Sequence, residues 1–149
     1  MPNRTATMFY FSAGLAIIGA VLYQYFVKLV PGSINPVVSV LGQYVAALVI
    51  GVSLLPLFPA PGGLWQQVRQ LNWIQLALAV SVVLIELGFL LMYRAGWNLS
   101  TGNLVTGVFI NLLLAGLGVW LMGERMQFIN AAGVALCLAG VALISYRPA

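Results

Sequence analysis

Five apolar runs separated by short polar breaks constrain this chain more than any other feature: Met8 to Leu29, Pro36 to Phe58, Trp73 to Tyr93, Leu104 to Met122 and Phe128 to Tyr146. A helix needs about 20 predominantly apolar residues to cross the hydrocarbon of a bilayer, and each run has that length. Strands of a membrane barrel would alternate apolar and polar residues, and these runs do not. The chain has 149 residues, 62% of them apolar and 5% charged, whereas roughly a quarter of a soluble domain is charged. Almost nothing remains to build a water-facing domain. The expected fold class is an all-α, multi-pass integral membrane protein, one transmembrane domain over residues 1–149, with the lipid bilayer as its first partner.

The breaks between the runs agree with this count. The first run follows a short lead containing Arg4 and has the look of a signal peptide, but it exits through Tyr23, Gln24, Tyr25 and Lys28 with no small-residue cleavage site, so it is read as a helix that stays. Pro31, Gly32, Ser33 and Asn35 precede Pro36, which suits the first turn of a second helix, and Pro56, Pro59, Pro61, Gly62 and Gly63 close it. Next, Leu64, Trp65, Val68 and Leu71 fall on one helical face with Gln66, Gln67, Arg69 and Gln70 on the other. This pattern reads either as one or two amphipathic turns in the membrane interface or as an irregular loop.

The inventory of side chains removes most chemistry. His and Asp are absent, Cys137 is the single cysteine, and Glu86 and Glu124 are the only carboxylates. A Ser-His-Asp triad, a Cys-His pair, an Asp-rich magnesium site and a His/Cys zinc site all need residues that are missing. The expectation is a protein that is not an enzyme, with no catalytic residue, no metal and no cofactor. Cys137 alone leaves the redox compartment open. Six basic residues scattered through short loops make no patch for nucleic acid; they read as interface residues.

Sorted across five spans, Arg4, Arg69 and Arg125 fall with the N-terminus, and Lys28, Arg94 and Arg147 fall on the other side. Orientation follows the excess of Lys and Arg in short cytoplasmic loops, and here three stand against three. Charge selects no orientation. A chain that inserts both ways can pair antiparallel, reproducing the inverted repeats of many transporters; the alternative is a chain held one way round by a partner.

Glu86, close to the middle of the third run, is the most informative residue. An ionised side chain there costs on the order of 2.5 to 3.5 kcal/mol on insertion scales, so it needs a cavity, a partner or a proton. Phe89 and Tyr93 follow at three and seven positions, placing an acid and two aromatics on one face, a surface that suits a cation. The competing reading is a neutral Glu hydrogen-bonded across a helix interface. The fourth run carries Asn103, Gly107, Asn111 and Ala115 at intervals of four, a stripe for close packing or for a cavity, with Asn111 the deeper member. The first run offers Ser12, Ala16, Gly19 and Tyr23 on one face with Gln24 adjacent, and the second offers Ser39, Gln43 and Ala46. Gln24, Gln43 and Tyr44 fit an interhelical hydrogen bond or a substrate contact equally well. In the fifth run Gly133, Cys137 and Gly140 make a small-residue side suited to helix packing or a dimer axis, with Cys137 a small apolar residue. Trp65, Trp73, Trp97 and Trp120 mark interfaces, Arg94 snorkels from its span end, Asn98, Ser100 or Thr101 caps the fourth helix, and Glu124 with Arg125 forms a surface ion pair.

The order of these features resembles a known family. A fourth helix ending in GERM (Gly123 to Met126), followed at once by AAGVALCLAGVALI (Ala131 to Ile144), resembles the end of an EamA repeat of the drug/metabolite transporter superfamily, and LMYRAGWNLSTGNLVTGVF (Leu91 to Phe109) is similar to that family's turn from helix three into helix four. The first two spans match mainly in hydropathy. The resemblance implies a five-helix half of an inverted 5+5 transporter, rebuilt here by antiparallel pairing. It also implies alternating-access transport of a small organic solute and residence in the plasma membrane, the inner membrane of a bacterium or archaeon. The related four-helix small multidrug resistance proteins carry a glutamate in their first helix where this chain has Ala20, so proton-coupled cation export would fall to Glu86. Two other functions stay open: a flippase subunit for a lipid-linked or lipid-like substrate, and a non-transporting membrane subunit.

Overall fold

A computed structural model describes residues 2–59, 61–123 and 127–145, with side chains from residue 7 to residue 144 among these. The elements are helical: α1 (Pro2–Leu29), α2 (Pro36–Leu54) continuing into a 3-10 turn at Leu55–Leu57, α3 (Leu64–Val68), α4 (Trp73–Arg94), α5 (Leu99–Met122) and α6 (Phe128–Ser145). Four apolar stretches are long enough to cross a membrane, Thr7–Leu29, Pro36–Leu57, Trp73–Arg94 and Leu99–Met122, and Phe128–Ile144 is a shorter apolar helix. Large apolar side chains stand outward along the long helices; Phe11, Leu48, Leu76 and Leu113 are 68 to 69% exposed. A contiguous apolar surface of this kind is untenable in water, and lipid is its natural solvent.

Helix ends follow local chemistry. At α2, Asn35 Oδ1 accepts from the backbone N–H groups of Val37 (2.9 Å) and Val38 (3.4 Å), and Pro36 sits where its missing N–H has no intrahelical use. At α4, Asn72 Oδ1 accepts from Ile74 N–H at 2.9 Å while the Asn72 N–H donates to Gln75 Oε1 at 2.8 Å, a reciprocal capping box. Gly123, with φ +66°, ends α5 in the left-handed region that a glycine enters without a Cβ clash.

The apolar span of α1, Thr7–Leu29, agrees with the first run, while the helix itself begins at Pro2, because hydropathy marks where lipid begins and backbone propensity marks where a helix does. For the same reason α5 starts at Leu99, ahead of the apolar run that opens at Leu104. Asn98 holds the N-cap position of α5, yet its side chain makes no capping bond. The segment after α2 does form a short helix, α3, with Leu64, Trp65, Val68 and Leu71 exposed, the Arg69 guanidinium 5.3 Å from the Trp65 ring, and Gln67 Nε2 donating to the Pro61 carbonyl at 2.9 Å. The expected Glu124–Arg125 pair, the side chains of Arg4 and Arg147, and Met126 and Tyr146 lie outside the described residues.

The chain falls into two compact units, Met1–Ala95 and Gly96–Ala149. In the first, α4 packs against both α1 and α2, burying Val27, Val40, Leu90 and Tyr93 together with Gln24 and Glu86. In the second, α5 packs against α6, and Gly102, Gly118 and Val141 are buried.

Candidate functional site

Glu86 sits about 4 Å along the axis from the midpoint of α4, at 1.5 Å per residue. Its side chain is only 6% exposed. The neighbour that meets it comes from α2: Gln43 Nε2 donates to Glu86 Oε1 at 2.7 Å. Tyr44, on the same helix, lies beside the carboxyl group, and Tyr23 reaches its vicinity from α1, near enough for a charge on Glu86 to act on both hydroxyls. The Tyr44 hydroxyl lies close enough to the Glu86 carboxyl to interact with it as a hydrogen-bond donor, short of good geometry, and the Tyr23 hydroxyl is a buried oxygen with no hydrogen-bond partner among the described residues. Native structures leave few buried polar atoms unsatisfied, and these oxygens gather around one carboxyl in a polar spot inside the first unit.

From this spot an aromatic column runs along α4 towards the C-terminal end of the helix. Phe89 meets Tyr23 edge to face at 6.3 Å and stacks on Tyr93 at 6.2 Å. The Tyr93 hydroxyl donates to Gln24 Oε1 at 2.6 Å, and Lys28 Nζ stands 5.2 Å over the Tyr93 ring. The expected face of Glu86, Phe89 and Tyr93 is thus covered by Tyr23, Gln24 and Lys28 of α1 at one end and Gln43 and Tyr44 of α2 at the other. Six of the expected site residues, Glu86, Tyr93, Phe89, Tyr23, Gln24 and Gln43, are in this one unit.

A buried hydrogen bond between helices contributes of order 1 kcal/mol, with membrane examples near 0.6. Tyr93→Phe removes the donor and strands the Gln24 side chain, which is 9% exposed. The expected result is a loss of about 1 kcal/mol of apparent stability in denaturant titration, while Tyr25→Phe, at an exposed ring, leaves the midpoint in place.

Arg94 departs from expectation. Instead of reaching away from its span, its Nη2 donates to the carbonyls of Pro31 at 3.2 Å and Ile34 at 2.6 Å, fastening the α1–α2 connection to the end of α4. Both carbonyls lie in the connection outside α1 and α2; that of Pro31 also accepts from Ile34 N–H at 3.2 Å.

The other expected residues belong to the second unit. Asn103 is exposed on α5. Asn111, Gly133 and Cys137 line a mostly apolar cleft of about 390 Å³ along α5 and α6, together with Asn130. Cys137 is an exposed free thiol. A Cβ built at Gly133 or Gly140 meets nothing within 4 Å, so no contact among the described residues requires glycine there. Sequence reading had not singled out Asn130; its signal was the spacing of three and seven to Gly133 and Cys137 on one helical face. Among the described residues no group of His, Cys, Asp and Glu could hold a metal ion.

No family model, curated protein or solved structure matches the chain.

Proposed function

We propose that the chain is a secondary transporter of a small organic solute, working by alternating access, and that it is a single EamA-type repeat of the drug/metabolite transporter superfamily. In this reading α6 is the fifth span. Its 18 residues rise about 27 Å, close to the roughly 30 Å hydrocarbon thickness. The functional unit is an antiparallel homodimer in the plasma membrane of a bacterium or archaeon, and Glu86 is the group that takes up the proton or a cationic solute. The observation that carries the proposal is the Glu86 carboxyl in the middle of an apolar helix, buried, held through one oxygen by Gln43 and bordered by the Tyr44 and Tyr23 hydroxyls. Intramembrane ionisable groups mark ion and substrate pathways by default.

Two further features support the pairing. Lys28 and Arg94 line one cavity, so two of the basic residues sorted together stand at the same end of the first unit. The open space at Gly133 and Gly140 leaves their small size without a use among the described residues, where a second copy can use it. The cleft along α5 and α6, mostly apolar, would suit the alternative of a lipid-like substrate.

The test is transport by the purified chain in proteoliposomes, with tetraphenylphosphonium as a hydrophobic cation probe and an imposed pH gradient. Uptake that follows the gradient and saturates with probe concentration is expected. Uptake no faster than in empty liposomes, repeated with neutral and zwitterionic solutes, would remove the transporter reading.

A further inference from the structure

We propose that the connection between α2 and α4 is a lipid-binding surface. In it α3 lies along the membrane interface, its apolar side on the acyl chains and Arg69 on the phosphate of an anionic headgroup. The inference requires that α2 and α4 cross a membrane and is independent of Glu86 and of the transport reading. Within the first unit α3 packs against none of the long helices; the helix contacts there are α1 with α4 and α2 with α4. A helix of five residues is too short to persist by propensity, since isolated helices below about 12 residues are marginal in water. No side chain caps it, and Gly62 (φ +80°) and Gly63 (φ +89°) precede it. Its own bonds are local: Gln67 Nε2 on the Pro61 carbonyl, and the Gln70 and Leu71 N–H groups on the carbonyls of Gln67 and Val68 at 3.0 and 3.1 Å, which carry the turn on to Leu71.

What the turn lacks is a cover for its apolar side. Leu64, Val68 and Leu71 share one helical face with Trp65 at its edge, and Gln66, Gln67 and Gln70 take the other. The four apolar side chains are 51 to 69% exposed. Leu57 and Phe58 at the end of α2 and Trp73 at the start of α4 continue the exposed apolar surface. The spans Pro36–Leu57 and Trp73–Arg94 have 22 residues each and rise about 33 Å, so each uses the whole of a hydrocarbon layer roughly 30 Å thick. Residues 58–72 are therefore confined to one boundary of the bilayer. An amphipathic turn held there meets acyl carbons on one side and headgroups on the other.

Charge selects the headgroup. Arg69 is the one charged residue among 58–72, and its guanidinium stands 5.3 Å from the Trp65 ring, at the border of the apolar and polar sides. Glu86, the only carboxylate among the described residues, lies 13 residues into α4, about 20 Å along its axis, and is held by Gln43. A guanidinium presents parallel N–H donors to a phosphate, and basic residues near the surface are drawn to anionic lipid. A second copy is a poorer cover. Laid parallel it brings another Arg69 to this face, and laid antiparallel it brings the end that bears Lys28 and Arg94.

The full chain carrying Trp73→Phe, Trp97→Phe and Trp120→Phe keeps Trp65 as its one tryptophan. It is reconstituted into symmetric vesicles of phosphatidylcholine and phosphatidylglycerol in equal parts, so that either orientation meets the same lipid. Trp65 fluorescence is then quenched by trace lipids spin-labelled near the headgroup or near the chain end, and by acrylamide in the water. Stronger quenching by the shallow label than by the deep one is expected, with acrylamide reaching Trp65 less than it reaches free tryptophan. Shallow-labelled phosphatidylglycerol should quench more than shallow-labelled phosphatidylcholine, and the ratio should fall to one in Arg69→Gln and survive in Arg69→Lys. Trp65→Phe in the otherwise native chain gives the same contribution by difference, should the triple variant not fold. Acrylamide quenching equal to that of free tryptophan would place α3 in water. Quenching by neither reagent would place it under protein, whether the rest of the chain or a second copy, and strongest quenching by the deep label would place it among the spans. Each of these overturns the proposal, as does equal quenching by the two headgroups or a preference that persists in Arg69→Gln.

Discussion

Glu86→Gln is expected to abolish gradient-driven uptake of tetraphenylphosphonium while the protein stays folded. The substitution keeps size and shape and replaces one carboxyl oxygen by an amide. Its remaining oxygen still accepts from Gln43 Nε2, the bond that holds the native side chain at 2.7 Å, so thermal stability should change little. The other oxygen, Oε2, makes no well-formed hydrogen bond among the described residues, and the amide that replaces it can still meet the Tyr44 hydroxyl beside it. What disappears is the charge. A cation 4 Å from a carboxylate gains about 4 kcal/mol at an effective dielectric constant of 20, and 1.4 kcal/mol is a factor of ten. Uptake is therefore expected to fall to about one-hundredth or less. Glu86→Asp retains the charge but draws it back from Gln43 by one methylene, and intermediate uptake is expected. Wild-type rates in the Gln variant would end the case for Glu86 as the coupling group. Lost uptake accompanied by a collapsed melting temperature would assign it to structure instead.

The second large effect concerns orientation. With Cys137→Ala removing the exposed native thiol and Gln67→Cys placing a new one on α3, an impermeant maleimide is expected to label about half of the chains in intact cells and the rest only after permeabilisation, because charge provides no bias. The tally also predicts how to break the balance. Two added lysines at Gly32 and Ser33, beside Lys28 and Arg94, should drive labelling of the introduced thiol towards all or none, since these loops are short enough to obey the charge rule. All-or-none labelling before any lysine is added would exclude dual orientation and leave the charge tally without consequence.

The sequence disclosed the apolar runs because lipid imposes a composition that survives in any order of packing. It disclosed Glu86 because an ionisable group in such a run needs a cavity, a partner or a proton. It could not show which group meets Glu86: Gln43 lies 43 positions away and Gln24 lies 69 from Tyr93, and helices that look alike from outside can be packed in several ways. Tyr44 was visible only as one more polar residue in α2 until the approach of α4 set it beside the carboxyl. The capping box at Asn72 and Gln75, by contrast, was legible in the spacing, and the tryptophan between them drew attention to the interface instead. Arg94 was misplaced because a basic residue at a span end usually faces water, and nothing local reveals that two loop carbonyls wait opposite.

That fastening has a mechanical meaning. The connection between α1 and α2 spans only residues 30–35, and Arg94 pins two of its carbonyls to the last residue of α4. At this end the three helices cannot separate without breaking the tie, so any tilting of α4 against its neighbours turns about it. A helix of 22 residues is a lever of about 33 Å, and a rotation of about 10° carries its free end through about 6 Å. A tilt about that tie would be smallest beside Tyr93 and Lys28 and largest beside Trp73.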